Sequence, residues 1–345
     1  MTTSREWHLV RRPQGWPTAE DVALVEKTLP EPDQLADGQV LVRNLYLSVD
    51  PYMRGRMNAE KSYAPPYQLD KPMYGGAVGR VEHSAARDVP VGTLVRHGRA
   101  WREWAVCRRS ELELLDPAGD SGSSAAPTPL PAYLGVLGMP GLTAWVGTYD
   151  IGAIRPGETF FVSAASGAVG SLAGQLAKLA GCRVVGSAGG PEKATYLLDE
   201  LGFDAAIDHR APDQTAQLAA AAPEGIDVYF DNVGGESLRA AIANLNPFGR
   251  IAVCGMISSY NERQPGPDNL FEIVARKLRV QGFIVGDHAE REPLFRRHVG
   301  GLLRDGVIRY RETTRTGIES TFDALLDVLR GGSHLGKMVV ELPDD

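Results

Sequence analysis

Cysteine is scarce in this chain. Cys107, Cys182 and Cys254 are the only three, and they stand far apart in 345 residues. None forms a C-x-x-C pair and no His-Glu cluster accompanies them, so spacing offers no zinc site; free thiols in buried or half-buried settings are expected instead. Long apolar runs are also missing: none approaches the ~20 residues that span a bilayer. Positive charge has no dense block and no excess, with 36 basic against 43 acidic residues and a net charge of −7. That excludes nucleic acid and anionic membrane as main partners. The opening MTTSREWHLVRRPQG lacks an apolar h-region, so no secretory signal is expected and the cytoplasm is the expected compartment.

What is present is the composition of a globular protein with a large core: 43% hydrophobic and 23% charged residues. The length suits one large domain or two of ordinary size. Residues from about 7 to 115 read as β-rich, with strands expected at Val22–Glu26, Gln39–Val49, Tyr74–Glu82, Thr93–His97 and Trp101–Cys107. Pro and Gly separate them at short intervals, as in a small barrel or sandwich. Ser48–Met57 interrupts the pattern: Asp50-Pro51 predicts a turn bearing Tyr52, Met53 and Arg54. This loop either plugs the domain with the Tyr52 ring or lines a cleft. Ser62–Pro72 reads as an irregular loop able to cover a site, and Asp116–Pro131 as an exposed loop or hinge.

From Leu134 the texture changes. A helix is expected at Leu142–Ile151 after the Pro140-Gly141 break. Strands at Thr159–Ala164, Arg183–Ala188, Asp204–His209, Ile226–Asn232, Arg250–Ile257 and Leu278–Val285 then alternate with helices. Apolar strands alternating with helices predict a parallel sheet covered on both faces. The tail, a helix at Ile318–Leu329 and a strand at Met338–Leu342, is expected to return to the first domain.

Thr159–Gly181 organises this second half. A short apolar run leads into Ala165-Ser166-Gly167-Ala168-Val169-Gly170, and Leu172, Leu176 and Leu179 recur at helical spacing until Gly181. Strand, small-residue turn and helix N-terminus can take the pyrophosphate of a dinucleotide. Tight turns without ligands use the same residues, and Ala165 stands where the first glycine of the fingerprint belongs. About 20 residues beyond the glycines, NAD enzymes carry an acid for the ribose 2′-OH. Here Ser187-Ala188-Gly189-Gly190 has no carboxylate, and Lys193 follows, with Glu192 beside it. A lysine attracts a 2′-phosphate, which favours NADPH; the alternative is an exposed helix lysine. Arg210 is a second candidate for the same phosphate. Asn232, before Val233-Gly234-Gly235, ends a strand on the ligand edge. Cys254–Tyr260 ends the next one, with Tyr260 either reaching the nicotinamide site or simply packing.

DPYMRGRM, LGMPGLTAWVG, AASGAVGS, GCRVVGSAGGPEK, FDNVGG, Ser259-Tyr260-Asn261 and KLRVQGFIV follow in one order. Together they resemble the medium-chain dehydrogenase/reductase superfamily, in its zinc-independent branch of 2-alkenal, prostaglandin and curcumin reductases, from about residue 5 to 342. The resemblance implies an α/β fold class, a Rossmann doubly wound parallel sheet plus a GroES-like β-barrel domain. It places the GroES-like catalytic domain at 1–132 and 310–345 and the Rossmann NADP-binding domain at 133–309. The implied cofactor is NADPH. Zinc-binding relatives carry Gly-His-Glu where this chain has Tyr74-Gly75-Gly76, and the lobe of four structural cysteines is missing.

The resemblance also assigns roles. Gly167, Ala168 and Val169 cradle the pyrophosphate, and Lys193 binds the 2′-phosphate. Asn232, Cys254 and Phe283 flank the nicotinamide half, with Thr143 near the carboxamide. Pro51, Ser166, Gly189, His209, Val285 and His334 complete the cofactor set, which Tyr260 also joins. His209 stands where many relatives have Tyr, and His334-Leu335-Gly336-Lys337 replaces an Asn-x-Gly-Lys. Tyr260 and Tyr52 line the substrate cleft and are the candidate catalytic residues. The implied reaction is NADPH-dependent reduction of the C=C bond of an α,β-unsaturated aldehyde or ketone. Hydride goes to the β-carbon, and a tyrosine or the cofactor ribose stabilises the enolate. The alternatives are an NADPH quinone oxidoreductase and a non-catalytic NADPH-binding protein. The expected partners are a small enone or enal and a second copy of the chain, paired through the sheet edge near Phe283–Val285.

Overall fold

The fold is known from a computed structural model, which describes residues 3–121, 127–332 and 334–343. Residues 122–126 of the expected hinge, and 1–2, 333 and 344–345 of the expected domain ranges, lie outside the described residues. In chain order the strands are β1 (Thr3–Leu9), β2 (Val22–Thr28), β3 (Gln39–Ser48), β4 (Lys71–Pro72), β5 (Ala77–Ser84), β6 (Leu94–His97), β7 (Trp104–Arg108) and β8 (Glu113–Leu114). They continue with β9 (Thr159–Val162), β10 (Arg183–Ala188), β11 (Ala205–Asp208), β12 (Ile226–Asp231), β13 (Leu245–Val253), β14 (Arg279–Gly282), β15 (Glu312–Thr316) and β16 (Lys337–Glu341). Two compact units result: Met1–Leu134 with Glu312–Asp345, and Gly135–Arg311.

In the first unit a mixed sheet runs β15-β16-β3-β5-β6-β8, with β7 also paired to β3, beside a smaller sheet β2-β1-β4. Alternate residues of β3, Val40 and Val42, enter a core with Val81, Val95, Ala105 and Cys107, as the two-residue side-chain period dictates. The tail does return to this unit: β16 pairs antiparallel with β3, Val339 opposite Ser48. Three expectations need correction here. The strand expected from Tyr74 begins at Ala77, and the one expected from Trp101 begins at Trp104, because Trp101 takes a positive φ of 65° that a strand cannot use. The Ser48–Met57 turn contains a short helix, Tyr52–Arg56. Pro51 sits at its N-cap with φ −57° and starts the helix rather than only turning the chain. Met53 and Arg54 are buried, which fits the reading of this stretch as a plug.

The second unit is a six-stranded sheet ordered β11-β10-β9-β12-β13-β14, parallel throughout. The order reverses between β9 and β12, so their C-terminal ends flank the switch point where ligands bind in such sheets. The expected α/β class and doubly wound parallel sheet are therefore observed, with a mixed-sheet unit beside them. Phe161 and Tyr229 stack at 4.9 Å across β9 and β12. With Val185, Ile207, Ile251 and the Ala240–Ile242 helix face they form the core.

Some boundaries move here too. The helix expected at Leu142 starts at Met139, with Pro140 in its first turn, and passes into a π-helical turn at Gly147–Ile151. Leu179, expected on the buried stripe with Leu172 and Leu176, is exposed at the helix end. The strand expected over Arg250–Ile257 ends at Val253. Beyond it the amides of both Cys254 and Gly255 converge on the Asp231 carbonyl (2.8 and 3.1 Å), which turns the chain out of the sheet.

Candidate active site

The glycine turn starts at the end of β9. Ala164 adopts φ +49°, an unusual conformation for a residue with a Cβ. The chain then doubles back into the helix Gly170–Leu179. A Cβ on Gly170 would lie 2.5 Å from the Ala164 carbonyl oxygen and 2.8 Å from the Ala165 Cα. Both are backbone atoms that cannot yield, so only glycine lets the helix approach the strand this closely. Gly167 differs, since a Cβ there would meet only the Ala164 oxygen, at 3.3 Å. Packing does not demand a glycine at 167; its bare backbone leaves room for a group approaching from outside. Ser166 is buried, and Gly167, Ala168 and Val169 are half-buried. The positive end of the helix dipole lies at this turn, where the Ser171 N–H reaches the Gly167 carbonyl at 3.0 Å.

Two cations stand at the next strand ends. Lys193, in the short helix Pro191–Thr195, is only 7% exposed; the alternative of a solvated helix lysine is thereby overturned. Its ammonium is held below the usual lysine range, first by burial and then by the charge of Arg210, with Glu192 opposing. The Arg210 side chain crosses Gly189: a Cβ on Gly189 would lie 2.6 Å from Arg210 Nε and 2.9 Å from His209 Cε1. Partial burial of the ring, then the charge of Arg210, lowers the His209 pKa, with Lys193 adding a smaller effect. The Asp208 carboxylate accepts the Arg210 N–H at 2.9 Å. The structure thus gathers Gly189, Lys193, His209 and Arg210 beyond β10 and β11. A buried lysine beside an arginine, beyond a strand that ends in Ala188 rather than an acid, fits a dianionic phosphate.

A third group lies beyond β12, β13 and β14. Asp231 is fully buried. Its Oδ1 accepts from Tyr229 Oη (2.7 Å), Gly234 N (2.8 Å), Val233 N (2.9 Å) and Ser163 Oγ (3.5 Å), while Oδ2 has no hydrogen-bond partner. Burial raises its pKa in spite of these donors. Asn232 is tied to the end of β9, its Nδ2 donating to the Ser163 carbonyl at 2.8 Å and its N–H to Ser163 Oγ at 3.0 Å. The loop after β13 is pinned to the same segment, with Ser258 Oγ donating to the Val233 carbonyl at 2.6 Å. Burial, then the charge of Asp231, pushes the Cys254 thiol up to about 12, so it is no thiolate at neutral pH. The Tyr260 hydroxyl lies over Gly255, 3.1 Å from where a Cβ would stand.

Phe283 meets Phe230 edge-on at 6.3 Å, and its N–H reaches the Val253 carbonyl at 3.3 Å; Val285 is half-buried just beyond. Thr143 is buried and spends its hydroxyl on the Met139 carbonyl, at 2.8 Å. The remaining residues, Pro51, Tyr52 and His334, belong to the first unit. Burial, then the charge of Asp50, raises the Tyr52 phenol above its usual range. His334 is half-buried, ahead of β16. Among the described residues no group of three or more His, Cys, Asp or Glu is placed to hold a metal ion, and no helix is long and apolar enough to cross a membrane.

Reading the sequence alone passes over Asp231, Ser163 and Tyr229, the network that sets the β12 loop. The available signal was an acid closing an otherwise apolar strand, just before Asn-Val-Gly-Gly; an Asx side chain there captures the next backbone N–H groups. Lys337 was legible only as part of a motif, yet it is a buried ammonium.

Residues 5–115 match the family described as the N-terminal domain of oxidoreductase, and residues 168–298 match zinc-binding dehydrogenase. The NADPH-dependent curcumin reductase of Escherichia coli is 42% identical over 99% of this chain and 98% of its own. The NADP-dependent 2-alkenal reductase of Nicotiana tabacum is 40% identical over 94% of both chains. The crystal structure of CurA from Vibrio vulnificus in complex with NADPH superposes with a TM-score of 0.90 at 42% identity, over 99% of this chain and 100% of that one. The glycine turn and the parallel sheet thus sit in a known setting: the chain belongs to the medium-chain dehydrogenase/reductase family, among the curcumin, 2-alkenal and prostaglandin reductases.

Proposed function

We propose that the protein is an NADPH-dependent reductase of the C=C bond of α,β-unsaturated aldehydes and ketones. The observation that carries this reading is the buried Lys193 beside Arg210, beyond a strand that ends in Ala188 rather than an acid, in a chain 42% identical over 99% of its length to an NADPH-dependent curcumin reductase. Gly167, Ala168 and Val169, with Ser166, hold the pyrophosphate; Lys193 and Arg210, beside Gly189 and His209, take the 2′-phosphate. Asn232, Cys254, Phe283, Val285 and Thr143, all of the second unit, would hold the nicotinamide half. When bound, NADPH supplies a hydride for the β-carbon of the substrate.

The chain's own task is to orient the enone and to meet the charge that grows on its carbonyl oxygen. Tyr260 donates a hydrogen bond to that oxygen, an interaction worth ~3 kcal/mol in the transition state. Tyr52 is a second substrate-lining tyrosine. Its raised phenol pKa makes it a donor that stays protonated and a slow acid, so water completes protonation at the α-carbon. The test is NADPH consumption with simple enals, cyclic enones and quinones, with product identification. Saturated carbonyl product is expected, and Tyr260→Phe is expected to lower kcat by about 10²-fold with little change in NADPH affinity. Unchanged turnover in Tyr260→Phe removes its role; turnover of quinones alone removes the reading.

A homodimer is the proposed assembly. All four residues of β14 are exposed at the sheet edge, next to exposed Ile284, Phe271 and Val274, and an open edge strand beside exposed apolar side chains invites a second copy. The cytoplasm is the proposed compartment, consistent with three free cysteines.

A further inference from the structure

We propose that Lys337 is a positioning residue for Tyr52. The proposal rests on the reading of Tyr52 as a substrate-lining residue. Lys337 opens β16 and is 3% exposed. Its Nζ donates to the Val49 carbonyl at 2.6 Å and the Met338 carbonyl at 2.8 Å, and lies 3.1 Å from Asp50 Oδ1. Asp50 is buried as well, and its Oδ2 accepts the Ser48 hydroxyl at 2.5 Å. The Asp50 carbonyl in turn accepts Met53 N–H at 3.1 Å, which opens the Tyr52–Arg56 helix.

One ammonium therefore holds both the backbone and the side chain of the two residues before Pro51-Tyr52, and it does so from the far end of the chain. A buried ammonium loses hydration that a surface fold would retain, and a methylene side chain would fill this place in a strand more cheaply. What the ammonium adds is direction. Three oxygens converge on it, so the Val49–Pro51 backbone has one geometry, and the five-residue helix behind it inherits that geometry. It also neutralises the Asp50 carboxylate next to the Tyr52 phenol. Glu312 lies opposite Lys337 in the β15–β16 register, and its Oε1 has no hydrogen-bond partner. The cluster is thus one ammonium against two carboxyls, and Asp50 holds the contact.

The test is a double-mutant cycle. Lys337→Met alone leaves the Asp50 charge buried without its partner and risks misfolding. Lys337→Met/Asp50→Asn removes the contacting pair of charges, leaves the Glu312 carboxyl in place and nearly keeps the volume. With thermal unfolding confirming a folded protein, this pair is expected to raise KM for a simple enal about tenfold and to leave NADPH affinity within about threefold. In a Tyr52→Ala background the same pair is expected to change KM by less than about twofold, because the clamp then has nothing to present. Equal losses with and without Tyr52, or no loss in the folded pair, overturn the positioning role alone. If Tyr52→Ala by itself leaves KM unchanged, the reading of Tyr52 falls and the inference falls with it.

Discussion

Lys193→Glu is expected to weaken NADPH binding by about 100-fold or more while changing NADH binding less than about threefold. A hydrogen bond to a charged partner contributes ~1.5–3 kcal/mol, and the new carboxylate adds repulsion of the 2′-phosphate. The unliganded protein responds in the opposite sense to loss of the charge. Burial and Arg210 lower the Lys193 pKa, so below its usual value of 10.5 the unfolded chain binds this proton more tightly than the folded one. Stability of the unliganded protein therefore rises with pH through the window from the lowered pKa up to 10.5. Lys193→Met is expected to raise the unliganded Tm at neutral pH and to reduce the preference for NADPH, with Arg210 keeping part of it. A phosphate site that costs stability when empty is the usual exchange between function and stability. Titration calorimetry with both cofactors, beside melting curves without them, checks both halves. Equal loss of NADPH and NADH affinity would mean that Lys193 does not read the 2′-phosphate.

The second large effect concerns Asp231. Asp231→Leu is expected to destabilise the protein by about 3 kcal/mol or more, because Val233 N and Gly234 N lose their acceptor inside the core and Tyr229 Oη keeps only Ser163 Oγ. Asp231→Asn is expected to cost less than ~1 kcal/mol. The amide oxygen can keep the Oδ1 contacts, and the amide nitrogen replaces Oδ2, the atom without a partner. Burial raises the Asp231 pKa, so the folded state resists its ionisation, and a neutral isostere relieves that resistance. Denaturant unfolding of the two variants measures the difference. Equal destabilisation by both would show that the charge itself, rather than the acceptor, holds the β12 loop.

Much of this arrangement could be read from the residues, and the exceptions have physical causes. The alternation of β9–β14 with helices was legible because strands buried on both faces read as apolar runs. The turn at Ala165–Gly170 was legible because only small residues permit such an approach. Strand β15, Glu-Thr-Thr-Arg-Thr, escaped because it lies at a sheet edge with three of its residues exposed, which leaves no hydrophobic period to detect. The Tyr52–Arg56 helix escaped because Asp-Pro announces a turn and five residues are too few to show a helical stripe. In the site, Lys193 could be nominated from charge logic, but its burial depends on tertiary packing. Lys337 went unread because its partners stand far off in the chain, Val49 at 288 residues' distance with Asp50 beside it. Asp231 did carry a local signal, since its partners Tyr229, Val233 and Gly234 are sequence neighbours.

The central claim is tested most directly by following the transferred hydrogen. The protein is supplied with NADPH deuterated at its transferable position and a simple acyclic enone, and the product is examined by NMR. Saturated ketone with one deuterium on the former β-carbon, and none on the carbonyl carbon, is the expected result. Deuterium on the carbonyl carbon of an allylic alcohol, or cofactor binding with no transfer to any enone, would contradict the account.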